Sequence, residues 1–265
     1  GGRPPELSYW LYVQNYALAF DPDPERWTSH LWSLAIEEQF YFVWPLVALT
    51  LKRKHLLTFT LALFAVGVVG RAGFVFGTHH WDILTTAKVA YRATPTRMDG
   101  LLLGAAIAIM GHEPEAWLTS LWKKRERPLW FACGLLFLSL VGGKHGFLNE
   151  DRRVIVIGYP VIALFFACTV SLAVDGQLPS ALSRFFNSRP LVACGRVSYG
   201  MYMFHWPLVA FGIPFFKAAE DWARGPTALL LGFGCTLGGI AVTYIGAEIS
   251  FRGFESPFLK LKARF

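Results

Sequence analysis

The sequence predicts an all-α polytopic membrane protein with about seven transmembrane helices. Three observations carry that expectation. Hydrophobic residues make up 54% of the 265 and charged residues only 16%, whereas a soluble domain carries about 25% charged residues; the mean hydropathy is +0.40. The apolar residues gather in runs near the ~20 residues needed to cross a ~30 Å hydrocarbon core. The basic residues fall in short clusters between those runs, as topology signals do.

In chain order, "GGRPPELSYWLYVQNY" reads as a loop followed by an interfacial aromatic stretch. Seven apolar runs follow at 31–51, 56–76, 95–111, 128–142, 154–174, 197–216 and 226–251. The fourth is short for a span, and the last is long enough to tilt or to continue along the interface. "PSALSRFFN" (179–187) reads as a short amphipathic interfacial helix. Loops are expected at 77–94, 143–153 and 217–225. No repeat or low-complexity segment divides the chain, so 1–265 reads as one transmembrane domain with no appended soluble domain. If the spans alternate, "KRKH" (52–55), "KKRER" (123–127), Arg184 with Arg189, and the tail "KLKARF" share one side. That richer side is expected to be cytoplasmic, which places the Gly1 end outside and the Phe265 end inside.

Several function classes drop out. The net charge of +7 is not gathered on one polar element, so no nucleic-acid partner is expected. Cys133, Cys168, Cys194 and Cys235 lack CxxC spacing and read as inert thiols rather than a zinc site or a disulfide framework. "HH" at 79–80 has no metal-ligand context, so no metal is expected. There is no GxSxG elbow, Walker loop or GxGxxG.

Ionisable groups inside spans are costly and usually face a bundle interior or a wet cavity. Here they are Glu37, Glu38, Arg71, Arg97, Asp99, Arg196, His205 and Glu248. Helical spacing puts Ser33, Glu37 and Tyr41 on one stripe, with Glu38 about 100° away. The helix macrodipole offers the acids only about 0.3–1 kcal/mol, which suffices only if both stay at the wet interface. Arg97 and Asp99 open the third run on the same side as the acids. They are expected to pair with each other or, across helices, with the Glu37–Glu38 segment. Gly100 and Gly104 form a small-xxx-small face that admits a close helix. Ser198, Tyr202 and His205 share a face, with His205 about 10 Å along the helix from Ser198. Pro207 cannot donate to the Met203 carbonyl. His205 is then either a site residue or a histidine held by Tyr or backbone. Arg252 and Glu255 read as a terminal salt bridge. On these residues alone, an enzyme and a proton-coupled transporter or channel both remain open.

Four stretches narrow the choice: "HLWSLAIEEQFYFVWPL" (30–46), "RMDGLLLGAAIA" (97–108), "GRVSYGMYMFHWPL" (195–208) and "FESP" (254–257). Together and in this order they resemble the acyltransferase-3 family of bacterial membrane enzymes. The resemblance implies a bundle of roughly ten helices, of which this chain corresponds to the last seven. The family's opening helix, with its Arg and base His, and its basic RR-x-x-R segment have no counterpart in this chain. An N-terminally truncated and by itself inactive chain is therefore expected. The resemblance further implies O-acyl transfer, commonly of acetyl, from cytoplasmic acyl-CoA to a carbohydrate hydroxyl, as in lipopolysaccharide or exopolysaccharide modification, at the bacterial inner membrane. Acyl-CoA is the donor substrate, with no resident cofactor; the bilayer and a carbohydrate acceptor are the partners, and the oligomeric state stays open. By the same resemblance Glu37, Glu38 and His205 are the catalytic candidates, one glutamate orienting a base imidazole as the acid does in a triad. Trp32, Ser33, Tyr41, Arg97 and Asp99 belong to the outer wall of the site. Ser198, Tyr199 and Tyr202 line a core route, and Arg196 meets the CoA phosphates.

Overall fold

A computed structural model describes residues 6–20, 28–142, 151–222 and 226–262; among them every regular element is helical. The helices gather into two compact units, Gly1–Pro22 with Leu31–Leu178, and Asp23–His30 with Pro179–Phe265.

The first unit begins with two short helices, α1 (Glu6–Trp10) and α2 (Gln14–Ala19), where a loop and an aromatic stretch were expected. Buried amides explain α2. Asn15 Nδ2 donates to the Arg92 carbonyl at 2.9 Å and to Thr94 Oγ1 at 3.0 Å. Gln39 Nε2 donates to Asn15 Oδ1 at 3.1 Å, and Thr94 Oγ1 donates to Gln39 Oε1 at 2.6 Å. A ring of mutually satisfied buried polar groups fixes one arrangement, because any slip leaves a desolvated donor. This ring locks α2 to α3 (Trp32–Thr50) and to the segment that carries Thr94.

Helix α4 (Arg53–Gly77) is followed by α5 (Ile83–Arg92) and α6 (Thr94–Arg97), which occupy much of the expected 77–94 loop. Asp82 caps α5 by accepting from Thr85 N at 3.0 Å, and Pro95 sits in the first turn of α6. The amphipathic α5 buries Ala87 and Ala90 against Val75, Val154, Ile155 and Tyr159. The expected third span breaks at Met98 (ψ 4°), and α7 (Asp99–His112) has only 14 residues. That is about 21 Å at 1.5 Å per residue. Helix α8 (Trp117–Val141) starts well before the expected 128, and α9 (Tyr159–Val174) follows a π-helical turn, Val154–Gly158.

Polar contacts set the ends of these helices. Arg53, at the start of α4, lies 3.8 Å from Glu113, just past α7. Lys123 of α8 pairs with Asp175, just past α9. The buried Glu126 accepts from Ser171 Oγ at 2.5 Å, and Trp122 Nε1 donates to the same oxygen at 3.0 Å. The "KRKH" and "KKRER" clusters therefore share one end of this unit, as alternation of spans requires.

The second unit contains α10 (Ser180–Phe186), α11 (Arg189–Arg196), α12 (Ser198–Trp222), α13 (Pro226–Ser250), a π-helical turn at Phe251–Glu255, and α14 (Ser256–Lys262). Helix α10 buries no residue, in keeping with an interfacial helix. Helices α12 and α13 pack closely at Gly200, where a Cβ would meet the Ala247 Cβ at 3.1 Å. Of the expected loops, 143–150 and 223–225 lie outside the described residues, as do both chain ends.

Among the described residues three helices are long and apolar enough to cross a membrane: Arg53–Gly77, Val154–Val174 and Leu230–Lys260. Three of the remaining expected spans fall short for physical reasons. Helix α7 is shorter than the hydrocarbon core. Helix α3 carries Glu37, Glu38 and Gln39, and α8 carries the KKRER run.

Candidate active site

Within the first unit a cavity of about 400 Å³ opens between α3, α7 and α9. Trp32, Ser33 and Glu37 face it from α3, Arg97 from the end of α6, and Tyr159 from the start of α9. The stripe expected on α3 is only partly used. Ser33 and Glu37, one turn apart, line the cavity, whereas Tyr41, a turn further, is 56% exposed and packs edge-on to Phe40. Glu38 is half-buried and does not line it. Gly100 and Gly104 also line the cavity, and a Cβ at either would meet nothing within 4 Å. The close helix approach that their spacing leads one to expect is not made at these glycines. Their missing side chains form part of the open volume.

The Arg97 guanidinium lies over two tyrosine rings, 5.0 Å from the Tyr91 centroid and 4.7 Å from that of Tyr159. Trp32 extends the aromatic wall, with its ring 4.5 Å from Tyr91. Stacking of this kind holds a guanidinium while leaving its N–H edge available. Asp99 does not pair with Arg97 or with the α3 segment. It pairs with Arg71 at 2.8 Å, and both side chains are almost fully buried. Arg71 Nη1 also donates to the Thr96 carbonyl at 2.6 Å. A buried carboxylate needs a partner more than an aromatic-stacked guanidinium does, and Arg71 on α4 supplies it. Among the described residues neither Glu37 nor Arg97 has an ion-pair partner. The cavity thus holds a carboxylate, a cation and flat aromatic walls. That set can accept from a hydroxyl, stabilise negative charge and stack on a sugar ring.

His205 lies in the second unit. There Tyr202 and His205 line a cavity of about 540 Å³ with Leu208, Cys235, Thr236 and Thr243. His205 Nδ1 sits 2.5 Å from the Tyr202 carbonyl. A proton on Nδ1 satisfies that contact and leaves Nε2 as the basic nitrogen. The Tyr202 hydroxyl donates to the His30 carbonyl, and the rings of His30, Tyr202 and His205 lie pairwise 5.4 Å apart. Ser198 and Tyr199, on the same helix, are exposed and do not line this cavity. Arg196 Nη2 donates to both Glu248 oxygens, at 2.9 and 3.2 Å, and the guanidinium lies 5.5 Å from the Phe251 ring. Arg252 Nε donates to Glu248 Oε1 at 2.6 Å. The expected Arg252–Glu255 bridge is thus replaced by the pair one helical turn back, where i, i+4 geometry favours it. Two arginines on one carboxylate leave the Arg196–Glu248–Arg252 cluster with one net positive charge.

The structure therefore brings Trp32, Ser33, Glu37 and Arg97 to one cavity, and Tyr202 and His205 to another in a different unit. It adds Tyr91, Tyr159 and His30, which sequence reasoning passed over. Tyr159 lies inside the apolar run 154–174 and Tyr91 sits in an expected loop, so periodicity marks neither. His30 opens a marked stretch, but its partner Tyr202 is 172 residues away. Among the described residues no three His, Cys, Asp or Glu side chains gather as metal ligands would.

Comparison with known proteins agrees with the resemblance. The sequence model described as "Acyltransferase domain" (acyltransferase 3) matches residues 3–247. The chain is 27% identical over 266 residues to O-acetyltransferase OatA of Staphylococcus aureus (strain NCTC 8325 / PS 47), covering 96% of this chain and 40% of the relative. It is 28% identical over 267 residues to peptidoglycan O-acetyltransferase OatA of Listeria monocytogenes serovar 1/2a (strain ATCC BAA-679 / EGD-e), covering 96% and 39%. The chain thus spans about two fifths of the length of these relatives. No solved structure matches it. With the family model covering nearly all of its length, this chain belongs to the acyltransferase-3 family.

Proposed function

We propose that this domain serves membrane O-acyl transfer, moving an acetyl group from acyl-CoA to a hydroxyl of a cell-surface carbohydrate in the bacterial cytoplasmic membrane. The observation that carries the reading is the cavity in which Glu37, Arg97, Trp32 and Tyr159 converge, in a chain of this family. A hydroxyl is a poor nucleophile at neutral pH, so its proton must pass to a base as the oxygen attacks the thioester carbonyl. The C–S bond then breaks and the CoA thiolate leaves, taking up a proton. Glu37 orients and charge-stabilises the imidazole of the family's base His, which is not among the residues of this chain, as the acid does in a triad. Arg97 supplies positive charge to the developing oxyanion, while Trp32 stacks on the sugar. Arg196 meets the CoA phosphates with the positive charge that Glu248 leaves uncompensated. The basic end of the first unit faces the cytoplasm. The name of the Listeria relative makes peptidoglycan the acceptor to test first.

The test is mass spectrometry of digested peptidoglycan from cells with the gene deleted, restored, or restored as Glu37→Gln in the full-length protein. Restoration should return the acetylated fragments. Glu37→Gln should reduce them by about 10²–10⁴-fold at equal membrane abundance. Normal acetylation by that variant would reject the role of Glu37, and no change on deletion would reject the acceptor.

A further inference from the structure

A second feature of the first unit lies at its basic end. A groove of about 270 Å³ runs between α4, α7 and α8, walled by Leu61, Leu103, Met110, Leu118 and Trp122. One charged side chain, Arg125, joins its lining. Leu118, Trp122 and Arg125 follow one another at i, i+4 and i+7, so the groove continues along one face of α8 up to the guanidinium. The surroundings are strongly cationic. Lys123 is taken by Asp175 and Arg53 by Glu113. Lys52, Lys54, Lys124, Arg125 and Arg127 are exposed, and among the described residues none has an acidic partner. Glu115 is the nearby exposed acid left to set against them.

We propose that this groove binds an anionic phospholipid, with one acyl chain against the leucines and Trp122 and the phosphate on Arg125. The charge distribution selects the occupant. An apolar slot with a single cation at its mouth matches a hydrocarbon chain ending in one phosphate, and the cations around it suit the anionic headgroup layer. A CoA nucleotide would also need partners for its adenine and ribose, and no polar residue besides Arg125 lines the groove. The groove reaches Met110 toward the C-terminal end of α7, whereas Arg97 and Gly100 lie at the other end; the two sites share only Ile107.

The test is native mass spectrometry of the full-length protein released from micelles containing dioleoyl phosphatidylglycerol or dioleoyl phosphatidylcholine. The protein should retain one phosphatidylglycerol with roughly fivefold or greater preference over phosphatidylcholine, the order expected for one basic residue at a membrane surface. Arg125→Gln should abolish the preference and Arg125→Lys should retain most of it. Arg127→Gln, which removes an equal charge from a different face of α8, should leave it unchanged. Equal losses in Arg125→Gln and Arg127→Gln would overturn the proposal in favour of diffuse attraction. An unchanged preference in Arg125→Gln, or displacement of phosphatidylglycerol by an equimolar acyl-CoA, would also overturn it.

Discussion

The buried Arg71–Asp99 pair should be the most sensitive point in the first unit. Arg71 is fully buried, Asp99 nearly so, and their 2.8 Å contact bridges α4 and α7. Arg71→Met replaces the cation with an apolar chain of similar length and leaves the Asp99 carboxylate without its counter-ion. Breaking a buried pair in this way costs about 3–5 kcal/mol. Asp99→Asn should be milder, about 2 kcal/mol, because Arg71 keeps the Thr96 carbonyl at 2.6 Å and the Tyr159 ring at 5.6 Å. The double variant removes both charges and should cost no more than Arg71→Met alone, giving a coupling of about 2 kcal/mol or more. Equilibrium unfolding in mixed detergent micelles, followed by tryptophan fluorescence, measures all three. If Arg71→Met falls within about 1 kcal/mol of wild type, or the two single effects simply add, the pair does not hold α4 to α7.

Other outcomes follow from the same geometry. Gly104→Leu should place a side chain in the cavity and abolish acyl transfer while the unfolding midpoint stays near wild type; Gly104→Ala should remain active, since its Cβ meets nothing within 4 Å, and equal activity of the two variants would show that the cavity is not used. Arg196→Ala should raise the KM for acyl-CoA more than that for acceptor, and an unchanged donor KM would remove Arg196 from the donor site. Hydrogen bonds from the Thr85 side chain and backbone hold the Asp82 carboxyl below its ordinary range. A depressed folded pKa means that the cap stabilises α5 fully above the unfolded value of about 3.9 and is lost as pH falls through the folded value. Amide exchange in α5 should accelerate in that acid window in wild type but not in Asp82→Asn; identical pH profiles would be inconsistent with the cap.

Hydropathy located the long apolar elements well, because burial in lipid is a property of composition over ~20 residues. The runs at 31–51, 56–76, 154–174 and 226–251 correspond to α3, α4, α9 with its π turn, and α13. It missed what depends on long-range polar satisfaction. Helix α2 exists because Asn15 and Gln39 find Thr94 across 79 and 55 positions of sequence, and no local window contains that ring. The start of α8 at Trp117 depends on Lys123 and Glu126 meeting Asp175 and Ser171, which turns an apparent cytoplasmic loop into helix. In the site, the i, i+4 relation of Ser33 and Glu37 was legible because helical geometry fixes it. The exposure of Tyr41 was not, since it depends on where neighbouring helices end.

The segment "RMD" shows how a single backbone break can sort charges that sequence treats as one cluster. In an uninterrupted helix Arg97 and Asp99 would be separated by about 200° and 3 Å of rise, on nearly opposite faces of one turn. The break at Met98 instead puts Arg97 at the end of α6 and Asp99 at the start of α7. Asp99 then sits at a helix N-terminus, where a negative charge is favoured, and turns to Arg71 in the protein interior. Arg97 is left to the Tyr91 and Tyr159 rings at the cavity wall. The interior gains a closed pair and the cavity keeps a cation that no acid among the described residues neutralises. Had the expected Arg97–Asp99 pairing formed, Arg71 would be buried without a counter-ion and the cavity would hold Glu37 alone. The division of labour among these charges therefore rests on the turn at Met98 as much as on the residues themselves.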